Sequence, residues 1–295
     1  MKVLLTGAAG FLGRRVLRAL LNASHEVVAL VHRQTDLGQL GAGVSTLEGD
    51  LGARKFYEQL PGGVDAVISL AQSARYRDFP GGAEDMFAVN VEAAFRLSHW
   101  AHRAGVGRFV LVSSGGARTP EAHVWGGSVT KPAPIDFYLS SKLCAEVILR
   151  AYRTLFRTAV ICRPFFIYGP GQSRDMLIPR LVESIRDGKP LLLRGRDGLR
   201  LSPVYVDDVA SILARSIELE GFAEFDIGGP QALTLREIGE AIARRLGRRA
   251  LFTEAPGGNE ELVAKESEPL ARLNVRATPF DEGLNRLIEA HGIEH

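Results

Sequence analysis

The chain has 295 residues, of which 46% are hydrophobic, and a formal net charge of +2 with acidic and basic residues intermixed. This length can bury a sizeable core, and the mixed charge pattern argues against nucleic acid as a partner. The longest apolar runs are of strand length, well short of the ~18 residues that a membrane-spanning helix needs, and the first residues form a strand pattern instead of a signal peptide. We therefore expect a cytoplasmic protein with no membrane role.

Apolar runs of strand length alternate with helical patterns along the first half of the chain. Strands are predicted at residues 2–6, 26–31, 44–48, 65–70, 108–113 and 159–163. Helices are predicted at residues 11–21, 83–104 and 136–156. This alternation predicts a parallel sheet covered by helices, which is an α/β fold of the Rossmann-like, doubly wound type.

The pattern changes after Arg163, because several prolines interrupt shorter elements there. These are Pro164, Pro170, Pro179, Pro190 and Pro203. We therefore predict a first domain over residues 1–163 and a smaller, mostly helical substrate-binding lobe over residues 164–295. Segments near 204–216 and 225–228 are expected to return to the first domain.

A glycine-rich turn follows the first predicted strand directly. Gly7, Gly10 and Gly13 have the spacing G-x-x-G-x-x-G, and a helical pattern begins at Phe11. Glycines let the backbone turn tightly and approach a pyrophosphate, while the free amides and dipole of the helix N-terminus favour an anion. Strand, glycine turn and helix in this order indicate a dinucleotide-binding site.

Tyr138 and Lys142 lie four residues apart in the helix predicted at 136–156, so their side chains share one face. A tyrosine hydroxyl titrates near pH ~10 in isolation, and it acts as an acid or base near neutrality only where a neighbouring cation stabilises the phenolate. Lys142 can be that cation. The pair therefore predicts a proton donor.

Taken together, these residues resemble the extended short-chain dehydrogenase/reductase family, specifically its NAD(P)-dependent epimerase/dehydratase branch. The resemblance covers almost the whole chain. Its landmarks are Gly7, Gly10 and Gly13, Asp50-Leu51, Leu70-Ala71, Asn90, Ser113-Ser114, Tyr138 with Lys142, Arg163-Pro164, Tyr168-Gly169-Pro170 and Val206-Asp207-Asp208.

The resemblance implies a catalytic triad of Ser114, Tyr138 and Lys142. Ser114 and Tyr138 would hydrogen-bond a ketone while Tyr138 donates a proton, and Lys142 would stabilise the phenolate and bind the nicotinamide ribose. Asn90 is expected to interrupt its helix and support a proton-relay water. The alternatives are a turn serine at Ser114 and a helix-surface amide at Asn90.

Cofactor contacts are expected from a larger set of residues, and no metal site is expected. The set consists of Gly7, Gly10, Phe11, Leu12, Gly13, Arg33, Asp50, Leu51, Leu70, Ala71, Tyr138 and Lys142.

The end of the second predicted strand indicates which dinucleotide is preferred. Val31 stands where an acidic residue would bind both ribose hydroxyls of NAD, and Arg33 follows with a charged, planar fork that suits a 2′-phosphate. Arg14 could add a second positive contact. NADP is therefore favoured over NAD, although Asp36 could also reach a ribose.

Two residues bear on the substrate and point in opposite directions. Arg200 lies shortly before Asp207, where similar nucleotide-sugar epimerases carry an arginine that binds the substrate's diphosphate. Phe166 stands where those enzymes commonly carry an asparagine, and a phenyl ring cannot replace its hydrogen bond. Ser114, Phe166 and Arg200 are accordingly our candidate substrate-binding residues.

Three functions remain open. The favoured one is oxidoreductase or epimerase chemistry on a nucleotide-linked sugar, by a 4-epimerase or a 4-keto reductase. The alternatives are an NADPH-dependent reductase of a non-nucleotide ketone or aldehyde, and a redox-silent dinucleotide-binding module. A dehydratase is disfavoured because Gly115 and Gly116 cannot supply the acidic pair used for elimination. A homodimer through the helices at 83–104 and 136–156 would agree with the family.

Overall fold

The protein is described by a computed structural model that covers residues 1–33, 44–117, 136–257, 260–265 and 272–292. The chain forms two compact units. One consists of Met1–Arg163 with Leu213–Phe225, and the other of Pro164–Ile212 with Asp226–His295. The chain thus leaves the first unit after Arg163 and returns to it at Leu213–Phe225, whereas the sequence indicated returns near 204–216 and 225–228.

The described strands are short, and β1 to β6 fall close to their predicted positions. They are β1 Lys2–Thr6, β2 Glu26–Val31, β3 Ser45–Glu48, β4 Ala66–Ser69, β5 Arg108–Val112, β6 Thr158–Pro164, β7 Ile167–Tyr168, β8 Leu191–Arg194, β9 Arg200–Leu201, β10 Val204–Tyr205, β11 Gly221–Ile227, β12 Leu233–Thr234, β13 Phe252–Ala255 and β14 Glu261–Leu262.

The described helices alternate with the strands of the first unit and recur in the second. They are α1 Phe11–Asn22, α2 Ala83–Met86, α3 Ala93–Arg103, α4 Phe137–Tyr152, α5 Leu177–Arg186, α6 Val206–Ser216, α7 Leu235–Arg245 and α8 Phe280–Ala290. A π-helical segment, Phe87–Glu92, connects α2 to α3, and 3₁₀ turns occur at Arg54–Gln59 and Arg153–Leu155. None of the described helices is long and apolar enough to cross a bilayer.

The first unit is built on a seven-stranded sheet in the order β11-β6-β5-β4-β1-β2-β3. The pairs from β3 to β6 are all parallel. The strand order reverses on either side of β1, so the carboxyl ends of β1 and β4 mark the switch point where doubly wound sheets bind their ligands. The predicted α/β fold is confirmed.

The inner strands β1, β2, β4 and β5 of this sheet are largely apolar and buried, as parallel strands covered by helices are. Leu4, Val67 and Phe109 point into a cluster that also contains Leu97 of α3 and Leu149 of α4. All five side chains are almost fully buried. This packing fixes α3 and α4 against the sheet and thereby positions the residues at the start of α4.

The second unit has a separate core and smaller sheets. Its buried cluster brings together Tyr168, Ile185, Ile242 and Leu287, from β7 and from α5, α7 and α8. The strand β7 pairs with β10, β8 pairs with β13, and β9 lies between β12 and β14. The lobe expected to be mostly helical therefore also contains several short strands.

Candidate active site

The glycine turn after β1 has a geometry that only glycine permits. Gly7 has φ +68°, a left-handed conformation. The amide of Gly10, three residues later, donates a hydrogen bond to the Gly7 carbonyl at 3.0 Å. A Cβ atom on Gly13 would overlap that same carbonyl oxygen. The turn leads into α1, whose first turn has no acidic residue. This arrangement suits the pyrophosphate of a dinucleotide.

Thr6 joins the two strands at the switch point. Its buried hydroxyl accepts hydrogen bonds from the amides of Leu70, at 3.1 Å, and Ala71, at 3.0 Å. The chain after β4 is thereby held so close to the glycine turn that a Cβ on Gly7 would lie 2.9 Å from the Ala71 nitrogen. Sequence reasoning did not select Thr6, although a small hydroxyl residue at the end of β1 was a signal.

The residues predicted to contact the adenosine follow β2 and β3. Arg33 is exposed just beyond β2. Asp50 closes a turn by accepting from the Gly52 amide at 2.8 Å, and Leu51 is buried. These positions follow β2 and β3, which lie on the side of β1 away from β4. Asp36, the alternative ribose contact, lies outside the described residues.

Tyr138 lies in the first turn of α4, which Asp136 caps by accepting from the Leu139 amide at 3.0 Å. The Tyr138 hydroxyl donates to Oε1 of Gln72 at 3.1 Å. Burial raises the pKa of the Tyr138 hydroxyl to about 12, and a hydrogen bond with the Ser114 hydroxyl opposes that rise. Of the two serines after β5, Ser114 is therefore the one that interacts with Tyr138.

Ser113 behaves differently from Ser114. Its hydroxyl is buried and has no hydrogen-bond partner among the described residues. Its amide donates to the Cys162 carbonyl at 2.7 Å, which continues the β5–β6 pairing. Ser113 thus ends the strand, and Ser114 is the first residue free to face Tyr138.

Lys142 lies one turn after Tyr138 and is buried. Its Nζ donates to the Val112 carbonyl at 3.2 Å and lies 6.0 Å from the centroid of the Tyr138 ring. Burial lowers the pKa of Lys142 to about 8, and the charge of Glu146 opposes this shift. A buried ammonium next to the phenol is the arrangement that a phenolate needs.

Asn90 lies in the π-helical segment, and its burial excludes the alternative of a helix-surface amide. Its Oδ1 accepts from the Ser73 amide at 3.0 Å, and its Nδ2 donates to Ser141 Oγ at 2.9 Å. Ser141 in turn donates to the Tyr138 carbonyl at 2.7 Å. Asn90 therefore ties the chain after β4 to the turn of α4 that carries Tyr138 and Lys142.

A cleft of about 440 Å³ includes Tyr138 in its lining. Its lining residues are Tyr76, Arg77, Phe79, Asp136, Phe137 and Tyr138. Two aromatic pairs form its walls, with ring centroids 5.4 Å apart for Tyr76 and Tyr138 and 5.1 Å apart for Phe79 and Phe137. A ring or chain with an apolar face can pack there next to the proton donor.

Phe166 and Arg200 belong to the second unit. Phe166 has φ +45°, which is rare for a bulky side chain. Arg200 is about half exposed and its Nη1 lies 3.3 Å from Glu261 Oε1. Within the described residues no group of three or more His, Cys, Asp and Glu side chains could hold a metal.

A doubly wound sheet with a glycine turn at its switch point, and a Tyr–Lys pair on the adjacent helix, defines a dinucleotide-dependent enzyme. The NAD dependent epimerase/dehydratase family matches residues 3–228. The chain belongs to this family, and it is an NAD(P)-dependent enzyme.

The individual relatives named next share less than a third of their residues with this chain. The chain is 26% identical to the low-salt glycan biosynthesis protein Agl12 of Haloferax volcanii, over 98% of both chains. It is 28% identical to the 2-alkyl-3-oxoalkanoate reductase of Stenotrophomonas maltophilia, over 84% of this chain and 76% of that one. Among solved structures, MoeE5 in complex with UDP-glucose and NAD has a TM-score of 0.79 and 27% identity, over 99% of both chains.

Proposed function

We propose that the protein is a 4-epimerase or 4-keto reductase that acts on the hydroxyl or ketone centre of a nucleotide-linked sugar. The observation that carries this proposal is the Tyr138 hydroxyl, hydrogen-bonded to Ser114 and one helical turn from the buried Lys142. The similarity to Agl12, a glycan biosynthesis protein, and to MoeE5, solved with UDP-glucose and NAD, favours a sugar substrate.

The residues around the switch point would hold the dinucleotide. The turn from Gly7 to Gly13, with the Phe11 and Leu12 amides that open α1, would bind the pyrophosphate. Asp50 and Leu51 would contact the adenine, and the backbone of Leu70 and Ala71 would follow the nicotinamide half. When bound, the nicotinamide supplies or accepts a hydride at the substrate carbon.

The remaining steps are proton transfers by this chain's own side chains. Tyr138 would donate its proton to the substrate oxygen in reduction and take it back in oxidation, while Ser114 hydrogen-bonds the same oxygen. A tyrosine with a pKa of about 12 is a poor base near neutrality, so the charge of Lys142 is needed to stabilise the phenolate. Asn90 would keep α4 aligned through Ser141.

We further propose that NADP is preferred to NAD. Arg33 stands exposed just beyond β2, where it could bind the 2′-phosphate, and the strand ends in Val31 instead of an acid. MoeE5 was solved with NAD, so the proposed preference for NADP depends on residues of the present chain alone.

A second candidate function is reduction of a non-nucleotide ketone or aldehyde. Phe166 favours it, because this side chain cannot make the hydrogen bond expected near a diphosphate. The relative named 2-alkyl-3-oxoalkanoate reductase agrees with it. A redox-silent binding module is disfavoured, because such a module has no need of Ser114, Tyr138 and Lys142 together.

A homodimer and a cytoplasmic location stay predictions. Several apolar side chains on and around α3 and α4 are exposed, and a second copy of the chain would cover them. They are Phe87, Phe95, Val147 and Leu155. Sedimentation velocity of the purified protein measures its oligomeric state and so tests the homodimer.

The first experiment is to purify the protein without added nucleotide and identify any retained dinucleotide by mass spectrometry. NADH and NADPH are then titrated by fluorescence, and UDP- and dTDP-linked sugars are assayed for C4 epimerisation by NMR. Retained cofactor with epimerisation supports the 4-epimerase. An empty protein that oxidises NADPH with a 4-keto nucleotide sugar supports the reductase. Turnover of simple ketones alone would replace our proposal by the second candidate.

A further inference from the structure

Glu146 lies one helical turn beyond Lys142 on α4, and it is completely buried. Arg163 of β6 donates two hydrogen bonds to its carboxylate from one edge of the guanidinium. They run from Nε to Oε1 at 2.8 Å and from Nη2 to Oε2 at 2.6 Å. Arg150 Nη2 donates to the same Oε2 at 2.8 Å. Three charge-assisted hydrogen bonds hold this carboxylate in one orientation.

The same two arginines also bind Glu224 of β11. Arg150 donates to it through Nε at 2.6 Å and Nη2 at 3.0 Å, and Arg163 donates through Nη2 at 2.6 Å. Two carboxylates and two guanidiniums make a cluster with no net charge. Within this cluster Glu146 is the buried carboxylate and lies one helical turn from Lys142. Glu224 keeps 27% of its side chain exposed.

The face of α4 that carries the proton donor continues into this cluster. Tyr138, Lys142, Glu146 and Arg150 recur every four residues and follow one another along the helix. The Lys142 ammonium donates to a neutral acceptor, the Val112 carbonyl. Burial lowers the pKa of Lys142 to about 8, and the negative charge of Glu146 raises it.

Charged and titratable groups on the elements packed against α4 have other partners. Asp85 of α2 binds Ser73, Glu92 of the π-helical segment binds Arg96, and His99 of α3 binds Tyr152. Arg163 of β6 faces Glu146 itself. The charge that bears on Lys142 from the adjoining turn is therefore that of Glu146.

We propose that Glu146 is a positioning residue of the active site, whose carboxylate, oriented by Arg163 and Arg150, keeps the Lys142 ammonium charged and aligned beside Tyr138. This inference rests on the proposed role of Tyr138 and Lys142 in proton transfer. A neutral Lys142 would no longer stabilise the phenolate, so Glu146 acts on the reaction without touching the substrate.

The test measures Lys142 directly. Lysine side chains are labelled with ¹³C at Cε and titrated by NMR in the protein without substrate, and Lys142→Met identifies the signal. Glu146→Gln keeps the shape of the side chain but removes its charge, so we expect the pKa of Lys142 to fall by about one unit or more. In the active enzyme, turnover falls as rising pH removes the proton from Lys142, so in Glu146→Gln this alkaline loss should begin at a correspondingly lower pH.

Glu224→Gln is the matched control, because it removes a carboxylate from the same two arginines. Because Glu224 is not on the turn next to Lys142, this variant should lower the melting temperature and move the Lys142 pKa much less than Glu146→Gln does. Glu146→Asp retains the charge and should restore most of the wild-type pKa. An unchanged Lys142 pKa in Glu146→Gln, or an equal fall in Glu224→Gln, would overturn the inference.

Arg150→Gln keeps the test decisive if Glu146→Gln does not fold. It removes a positive charge bound to Glu146, so we expect the pKa of Lys142 to rise, and a fall or no change would contradict us. Because the NMR titration uses no substrate, its outcome is independent of the reaction that we propose. Absence of any turnover would count against the proposed function and leave the titration interpretable.

Discussion

The site in the first unit and the two candidate substrate residues in the second differ in the polar contacts of their side chains. Asn90, Tyr138 and Lys142 each have hydrogen-bond partners on other segments of the chain. Arg200 is about half exposed, and Phe166 has a left-handed backbone with a bulky side chain. The candidate proton-transfer residues are thus tied by hydrogen bonds to other segments, whereas the two candidate substrate residues have side chains that can be changed singly.

The largest effect on turnover is expected at Tyr138, in the first unit. Tyr138→Phe removes the proton donor and leaves the ring in its place, so we expect turnover to fall by roughly 10²- to 10⁴-fold with nearly unchanged affinity for the dinucleotide. Stopped-flow or steady-state rates and a fluorescence titration measure the two quantities. Tyr152→Phe, at the other end of α4, should retain full activity. Full activity in Tyr138→Phe would reject the assignment.

The glycine turn should be nearly as sensitive. A methyl group on Gly13 would overlap the Gly7 carbonyl, so Gly13→Ala must displace the turn and we expect the affinity for both dinucleotides to drop about tenfold or more. Gly107→Ala is the control, because a Cβ there meets nothing within 4 Å. Equal affinities of the two variants would mean that the turn does not bind the pyrophosphate.

A variant of Arg33 tests which dinucleotide the cofactor site prefers. Arg33→Ala should weaken NADPH by roughly tenfold and NADH much less, because only NADPH carries the 2′-phosphate. Fluorescence titration of both dinucleotides checks this, with Arg18→Ala on the exposed side of α1 as the control. A parallel loss for NADH would show that the contact is not with the 2′-phosphate.

The smallest effect is expected at Phe166, in the second unit. Phe166→Asn introduces an amide at a left-handed position that asparagine tolerates, so we expect UDP to bind a few-fold more tightly through one added hydrogen bond of about 1 kcal/mol. Phe166→Leu removes the phenyl ring without adding the amide. Isothermal calorimetry that gives the same UDP affinity for both variants would contradict a diphosphate site beside this residue.

Particular residues explain how much of the fold could be predicted. The apolar runs predicted at 26–31 and 108–113 became β2 and β5, because parallel strands buried on both faces are recognisable by composition. The helix predicted at 83–104 contains the π-helical segment Phe87–Glu92 around Asn90, an interruption that the family resemblance implied but that the hydrophobic pattern does not show. That interruption is held by bonds from Asn90 to Ser73 and Ser141, and no local pattern announces partners so far along the chain.

The candidate site shows the same division. The spacings of Gly7 to Gly13 and of Tyr138 to Lys142 are local, so helix and turn geometry make them informative in the sequence. Thr6, Gln72 and Glu146 were not selected, because a common polar residue gains its role only from what packs against it. Thr6 contacts Leu70 and Ala71 only once β1 and β4 are paired.

The sequence by itself determined the class of fold, the dinucleotide turn and the Tyr–Lys pair, since each depends on backbone rules that operate over a few residues. Tertiary structure alone decided that Asn90 joins Ser73 to Ser141, and that Glu146 shares two arginines with Glu224. Hydrogen bonds and charges between distant segments exist only after the sheet has assembled, and burial then sets how strongly they act.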